Sequence, residues 1–154
     1  MGPHERLATF EPGIDTRVGC WTPAVVAFAW SGEGFVLARI PGRGWCTPSG
    51  RVKAGESATE AAVRETREEI GGKLEDPLEL GRYRLTAKEG AVSYIPAFLG
   101  RVVTWGAVPS KSESEGVLVA TRDQLKSCYY HWDELLDRVF TLAESTSRSW
   151  YGGR

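Results

Sequence analysis

The sequence predicts a mixed α/β fold in which a β-sheet is covered by helices on both faces. Apolar, β-branched runs come first, a highly charged helical pattern follows, and further strands and a second helix complete the chain. Strands and helices in this order favour a sheet packed between helical layers. With 154 residues, the chain is long enough to bury a substantial core. We therefore predict a single domain over residues 1–154.

Composition and charge restrict the possible partners and location. The net charge of −1 argues against a broad basic surface for a nucleic-acid polymer. The longest apolar run, residues 23–30, is too short to span a membrane, and residues 1–10 lack the apolar segment of a signal peptide. The three cysteines, Cys20, Cys46 and Cys128, are too few for a disulfide framework or a four-cysteine zinc site. We expect reduced thiols and a cytoplasmic protein without a membrane partner.

The first third of the chain contains the patterns of an edge strand and a buried hairpin. The run AVVAFAW is apolar throughout, and a short polar turn separates it from a second apolar run. A short strand and a glycine-containing loop then lead into the first helix. The predicted elements are strands at 7–10, 24–30, 35–40 and 45–47, a turn at 31–34 and a loop at 48–55.

The second half of the chain is predicted to contain a strand pair, a polar loop and a closing helix. Pro96 lies within the second strand of the pair, so we expect an edge position or a bulge there. The predicted elements are strands at 78–86 and 94–103 joined by a turn at 88–90, a loop at 105–116, a strand at 117–120, a helical turn at 121–126 and a helix at 132–144.

Residues 57–70 carry the signals of a helix of about four turns. Ser57 followed by Glu60 forms the capping-box pattern, and Gly71 can end the helix in a left-handed conformation. Glu65, Glu68 and Glu69 then share one face of the helix. Because neighbouring carboxylates repel one another, and because oxygen ligands suit hard cations, this face predicts a site for Mg²⁺ or Mn²⁺.

The stretch from residue 50 to residue 72 resembles the Nudix box, G-x5-E-x7-R-E-U-x-E-E-x-G-U, where U is aliphatic. Thr66 and Gly72 depart from the aliphatic positions, and we expect weaker packing under the helix and a looser turn after it. The resemblance implies an α/β/α sandwich with a mixed sheet. The fixed positions are filled by Gly50, Glu56, Arg64, Glu65, Glu68, Glu69 and Gly71.

The resemblance also implies roles for individual residues. Arg64 and Glu56 would form a supporting ion pair, while the backbone carbonyl of Ser49 would join the carboxylates around the metal. A further acid from the downstream loop often completes the set in relatives, and we expect Glu115, with Glu113 as the alternative. The implied metal ligands are Ser49, Glu65, Glu68, Glu69 and Glu115.

Members of the Nudix superfamily cleave a diphosphate linkage with metal-activated water. Residues typical of ADP-ribose, dinucleoside polyphosphate, CoA and NADH hydrolases are absent from this sequence. The remaining prediction is a MutT-like enzyme that converts a nucleoside triphosphate, including an oxidised one such as 8-oxo-dGTP, to a monophosphate and pyrophosphate. The alternatives are hydrolysis of ADP-ribose, a nucleotide sugar or a capped RNA end, and a non-catalytic module that senses a nucleotide. A homodimer is possible, since many relatives are dimers.

Cations and aromatic residues supply candidates for substrate binding. Lys53, Arg39 and Arg43 lie before or within the box and can meet the phosphates. The candidates for stacking on a base are Trp45, Trp30, Tyr94 and the aromatic run at residues 129–132.

Overall fold

The computed structural model describes residues 7–14 and 22–152. Cys20 therefore lies outside the described residues. Within these two ranges, eight strands and three helices follow one another. The strands are β1 (Leu7–Pro12), β2 (Ala24–Trp30), β3 (Phe35–Ile40), β4 (Gly44–Cys46), β5 (Ser49–Arg51), β6 (Glu75–Thr86), β7 (Val92–Arg101) and β8 (Gly116–Ala120), and the helices are α1 (Ala58–Ile70), α2 (Arg122–Cys128) and α3 (Glu134–Tyr151).

The strands of the described chain form one hydrogen-bonded, mixed sheet. Its main order is β1-β6-β7-β2-β3-β4, with β5 paired to β2 and β8 paired to β3. β2 and β7 run parallel, while the other named pairs are antiparallel. The mixed sheet predicted from the sequence is therefore confirmed.

β2 and β3 diverge from one another, and this divergence positions the site. They pair only beside the turn, at Trp30 and Phe35. Further along, β3 pairs with β4 and β2 pairs with β5, so residues 44–51 cross from one strand to the other. The crossing is fixed midway, where the amide of Ala27 donates to the carbonyl of Pro48 over 2.8 Å.

Helices cover both faces of the sheet, as predicted. Alternate residues of β2 point to opposite faces: Val25, Ala27 and Ala29 join the core beneath α1, whereas Phe28 and Trp30 join the core beneath α3. The α1 core includes Ala61, Ala62 and Ile70, and the opposite core includes Leu125, Val139 and Phe140. In the described chain, no helix combines the length and the apolar character needed to cross a membrane.

Most predicted elements are present, with differences at their ends. β2 and β3 have the predicted bounds, while β5 replaces part of the predicted loop. β6 begins three residues earlier than predicted, at Glu75, and a register shift follows before Leu78. α3 begins at Glu134 and continues to Tyr151, where the tyrosine hydroxyl donates to the carbonyl of Asp76 over 2.9 Å.

Pro96 occupies an interior strand, so the predicted edge position is wrong. β7 lies between β6 and β2, but its pairing with β2 begins only at Ala97. On its other side, Pro96 pairs with Arg82, next to a register shift between Glu79 and Gly81. The proline is tolerated because its side towards β2 has no pairing partner and because the ladder with β6 is bulged close by.

The two departures from the box pattern are both buried. Thr66 is fully buried, and its hydroxyl donates to the carbonyl of Ala62 over 2.7 Å, so its polar atom is satisfied within the helix. Gly72 is closely packed rather than loose, because a Cβ there would lie 2.9 Å from the carbonyl oxygen of Thr104.

Replacement of Phe140 by alanine should strongly destabilise the protein. Its ring contacts Phe28, Phe35 and Trp132, with centroids 5.0, 5.2 and 5.6 Å away. We expect the free energy of unfolding to fall by about 3–5 kcal/mol in chemical denaturation. Trp150→Ala on the same helix is the control, because that ring is 58% exposed. Equal losses for the two variants would contradict this packing.

Candidate active site

The carboxylate-bearing helix α1 is fixed at both ends by its own sequence. The hydroxyl of Ser57 accepts from the amide of Glu60 at 3.0 Å, and the Glu60 carboxylate accepts from the amide of Ser57 at 3.1 Å. Gly71 ends the helix with φ of 69°, and its amide donates to the carbonyl of Arg67. The predicted capping box is confirmed, and it determines where each acid of the helix lies.

Arg64 connects the acids of the site to one another and to the preceding strand. Its Nε and Nη2 donate to both carboxylate oxygens of Glu56 at 2.7 and 3.0 Å. Nη1 donates to Glu65 at 2.7 Å and to Glu68 at 3.2 Å. Nη2 also donates to the carbonyl of Arg51 at 2.9 Å. The two-point pair with Arg64 lowers the pKa of Glu56 to about 2 and raises the pKa of Arg64.

Strand β5 comes close to Glu65 because residue 50 has no side chain. A Cβ built on Gly50 would overlap the Glu65 carboxylate. Glu65 is therefore held between the backbone of β5 and the guanidinium of Arg64, where only 12% of its side chain is exposed. The glycine that begins the box thus has a steric function.

Glu69 is the most buried acid of the site, with 5% of the residue exposed. Its carboxylate accepts a hydrogen bond from the amide of Ser49 at 3.1 Å. Burial, followed by the nearby negative charges of Glu65 and Glu113, raises the pKa of Glu69 well above its ordinary value, although the Ser49 amide opposes this shift. A carboxyl group in this environment favours a neighbouring cation when it ionises.

The acids open into a cleft of 720 Å³ between the last turns of α1 and the loop after β7. Glu113 lines this cleft, whereas Glu115 does not belong to the lining. The amide of Glu115 instead donates to the carbonyl of Arg39 over 2.8 Å, beside the start of β8. The residues around the cleft are Glu65, Arg67, Glu68, Glu69, Pro109, Lys111, Ser112 and Glu113.

The donor chemistry of the cleft suits a hard divalent cation. All four acids in its lining are glutamates, whose oxygens match Mg²⁺ or Mn²⁺. Within residues 7–14 and 22–152, no group of three acidic, histidine or cysteine side chains is already arranged as a metal site. Glu65 and Glu68 are instead bound to Arg64, and Glu69 accepts from Ser49.

A second cavity, of 250 Å³, lies on the other side of Ser49, where β2 and β3 diverge. The Tyr129 hydroxyl and the Thr47 hydroxyl are hydrogen-bonded to each other there at 3.2 Å. Aromatic rings and an acid from the loop between α2 and α3 supply much of its wall. The lining consists of Ala8, Val26, Arg43, Cys46, Thr47, Ser49, Tyr83, Tyr129, Tyr130, His131, Asp133, Leu135 and Leu136.

The predicted substrate-binding residues do not all reach these cavities. Arg43 lines the second cavity beside Cys46, as do three members of the predicted aromatic run, at 129–131. Lys53 is exposed, and its amide donates to Glu56. Arg39 and Trp45 are opposite one another on β3 and β4, and neither lines either cavity. Sequence reasoning did not identify Arg67 and Lys111, since an isolated exposed cation has no distinguishing pattern.

The sequence between β1 and the middle of α3 matches a known family. A model of the NUDIX domain matches residues 21–146. The chain belongs to the NUDIX family. The Nudix box of this domain therefore provides the capped helix, the Arg64 network and the acids of the cleft.

Similar proteins and structures agree with this membership. YtkD of Bacillus subtilis (strain 168), a candidate 8-oxo-dGTP diphosphatase, is 36% identical over 61 residues, which cover 40% of this chain and only 39% of YtkD. The Bacillus subtilis pyrophosphohydrolase BsRppH has a TM-score of 0.74 at 20% identity, over 92% of both chains. A NUDIX hydrolase from Nitrosomonas europaea has a TM-score of 0.62 at 22% identity, over 87% of this chain and all of that one. The structures confirm the Nudix α/β/α fold.

Glu56→Gln should weaken the domain in a pH-dependent way. The ordinary pKa of 4.5 falls to about 2 in the folded protein, so the ionised carboxylate stabilises the fold above pH 4.5, and this contribution is lost as the pH falls towards 2. We expect the variant to be less stable than the wild type by about 1–2 kcal/mol in the free energy of unfolding at pH 7. This difference between the two proteins should shrink by more than half by about pH 3.

Chemical denaturation of both proteins between these pH values measures the difference. Glu89→Gln, in an exposed turn, is the control. A difference that stays constant down to about pH 3 would show that the Arg64–Glu56 pair is not its source.

Proposed function

We propose that this NUDIX domain is a pyrophosphohydrolase that converts a nucleoside triphosphate to a monophosphate and pyrophosphate. The observation that carries the proposal is the junction at Ser49. The amide of Ser49 contacts Glu69 of the acidic cleft, and Ser49 also lines the second cavity. The two spaces thus adjoin at one residue, an arrangement that suits a substrate with phosphates at one end and a base at the other.

The proposed ligands of Mg²⁺ or Mn²⁺ are the backbone carbonyl of Ser49 and four carboxylates of the cleft. These carboxylates belong to Glu65, Glu68, Glu69 and Glu113. When bound, such an ion neutralises phosphate charge and lowers the pKa of a water molecule that attacks phosphorus. The family membership supports this assignment, and so does the oxygen-only donor set of the cleft. Glu113 replaces Glu115 as the preferred downstream acid, because only Glu113 lines the cleft.

The chain's own side chains position the substrate and accept the proton. In hydrolysis, the water oxygen bonds to phosphorus, the bridging P–O bond breaks, and the leaving phosphate group keeps the bond's electron pair. A carboxylate oxygen of the cleft accepts the proton of the attacking water. Arg64 and Glu56 keep these carboxylates in place without touching the substrate, since their guanidinium and carboxylate groups are occupied by each other.

The second cavity is proposed to hold the nucleoside. Tyr129 and Tyr130 provide ring surface for the base. Asp133 and Arg43 provide an acceptor and a donor at its edges. The local similarity to YtkD favours an oxidised purine nucleotide such as 8-oxo-dGTP as the first substrate to assay. A cytoplasmic location and a homodimer stay predictions from the sequence.

The function is tested by incubating the protein with a panel of nucleotides and Mg²⁺ or Mn²⁺, and separating the products by chromatography. We expect a monophosphate and pyrophosphate from a triphosphate, and loss of activity by about two to three orders of magnitude in Glu69→Gln. AMP from ADP-ribose, or a monophosphate from a nucleotide sugar, would replace the proposed substrate class. Nucleotide binding without turnover would indicate a sensing module.

The two downstream acids provide a matched pair of variants. Glu113→Gln should lower kcat/KM by about ten- to hundredfold and raise the metal concentration needed for half-maximal activity, because it removes an oxygen ligand. Glu115→Gln should leave both quantities close to those of the wild type, since Glu115 does not line the cleft. The reverse ranking would return the ligand role to Glu115.

A further inference from the structure

The acidic cleft contains two cations that belong neither to the fixed positions of the box nor to the Arg64 network. Arg67 lies on the exposed face of α1, one residue before Glu68, and Lys111 lies in the loop that faces the helix across the cleft. Both side chains are exposed. They therefore place positive charge on two walls of the same cleft.

Neither cation has a structural partner among the described residues. The side-chain hydrogen bonds and ion pairs of that part of the chain engage Arg64, Arg82, Arg101 and Arg122 but not the side chains of Arg67 or Lys111. Arg67 takes part in the capping of α1 only through its backbone carbonyl, which accepts from the amide of Gly71. Both charged groups are consequently available to a ligand in the cleft.

Lys111 is held over the cleft by a loop that is anchored at both ends. At one end, the amide of Gly106 donates to the carbonyl of Ile70 at 2.7 Å. At the other end, the amide of Glu115 donates to the carbonyl of Arg39 at 2.8 Å. Between them, the amide of Ser112 donates to the carbonyl of Pro109 at 2.9 Å and closes a turn around Lys111. The position of the lysine backbone is therefore set by the fold.

Charge balance indicates which ligand these cations fit. Four carboxylates line the cleft, so an anionic phosphate chain needs positive charge from the protein as well as from a bound ion. A free terminal phosphate carries roughly two negative charges at pH 7, because its second pKa is about 6. The inner phosphates of a nucleotide, and both phosphates of a nucleotide sugar, carry only about one each.

We propose that Arg67 and Lys111 bind the two phosphates of the substrate that leave as pyrophosphate, the outer of which is free, and thereby select nucleoside triphosphates over nucleotide sugars and ADP-ribose. This inference rests on the proposed function and adds two specificity-determining residues to it. Arg67 presents a planar fork of donors from the helix, while Lys111 presents a compact charge from the loop. Together they contact the part of the substrate that leaves as pyrophosphate.

The first test measures binding without turnover. Equilibrium dialysis would compare a non-hydrolysable nucleoside triphosphate with the matching monophosphate, on the wild type, Arg67→Gln, Lys111→Gln and the double variant. We expect the Kd of the triphosphate to rise about fivefold in each single variant and about twenty-five-fold in the double variant, with the monophosphate unchanged. Lys88→Gln, in the exposed turn between β6 and β7, is the control for net charge.

The second test uses kinetics on the same proteins. KM for the triphosphate should rise by the same factors while kcat changes less than about twofold, and Lys111→Arg should restore most of the affinity. Three results would overturn the assignment of the two cations alone. They are unchanged triphosphate affinity of the variants in an otherwise active enzyme, an equal loss of affinity for the monophosphate, and an equal loss of triphosphate affinity in Lys88→Gln. A wild type that neither binds nor hydrolyses any nucleotide would overturn the proposed function together with it.

Discussion

The site depends on how Arg64 divides its hydrogen bonds. Nε and Nη2 form a two-point pair with Glu56, whereas Nη1 is shared by Glu65 and Glu68. The pair with Glu56 joins α1 to the loop before it, and the bond to the Arg51 carbonyl joins α1 to β5. Because four groups converge on one guanidinium, the acids keep their places although like charges on one helix face repel one another.

The divergence of β2 and β3 leaves room for the segment that connects the two cavities of the site. If the two strands paired along their whole length, residues 44–51 could not cross between them. The crossing places Thr47 and Ser49 in the wall of the second cavity and brings the Ser49 amide to Glu69. One short segment thus connects the acidic cleft to the cavity proposed for the nucleoside.

The sequence was sufficient to predict the long strands and helices and the position of the box. β2, β3 and the capping of α1 follow from apolar runs and from Ser57, Glu60 and Gly71. Features that depend on distant partners could not be predicted. β5 is three residues long and exists through its pairing with β2, and the last turns of α3 are polar but anchored by Tyr151. In the run S-E-S-E, no local signal distinguishes Glu113 from Glu115, since the backbone contact with β3 decides which acid faces the cleft.

The close approach of Gly50 and Glu65 has a consequence for how this site can change over time. The absence of a side chain at one position provides the volume that the carboxylate at the other occupies. A side chain at position 50 would displace the Glu65 carboxylate, and that displacement would draw it away from Arg64 as well. A substitution at position 50 therefore reaches Arg64 through Glu65 without touching it, and we expect the effects of changes at positions 50 and 65 to be coupled rather than additive.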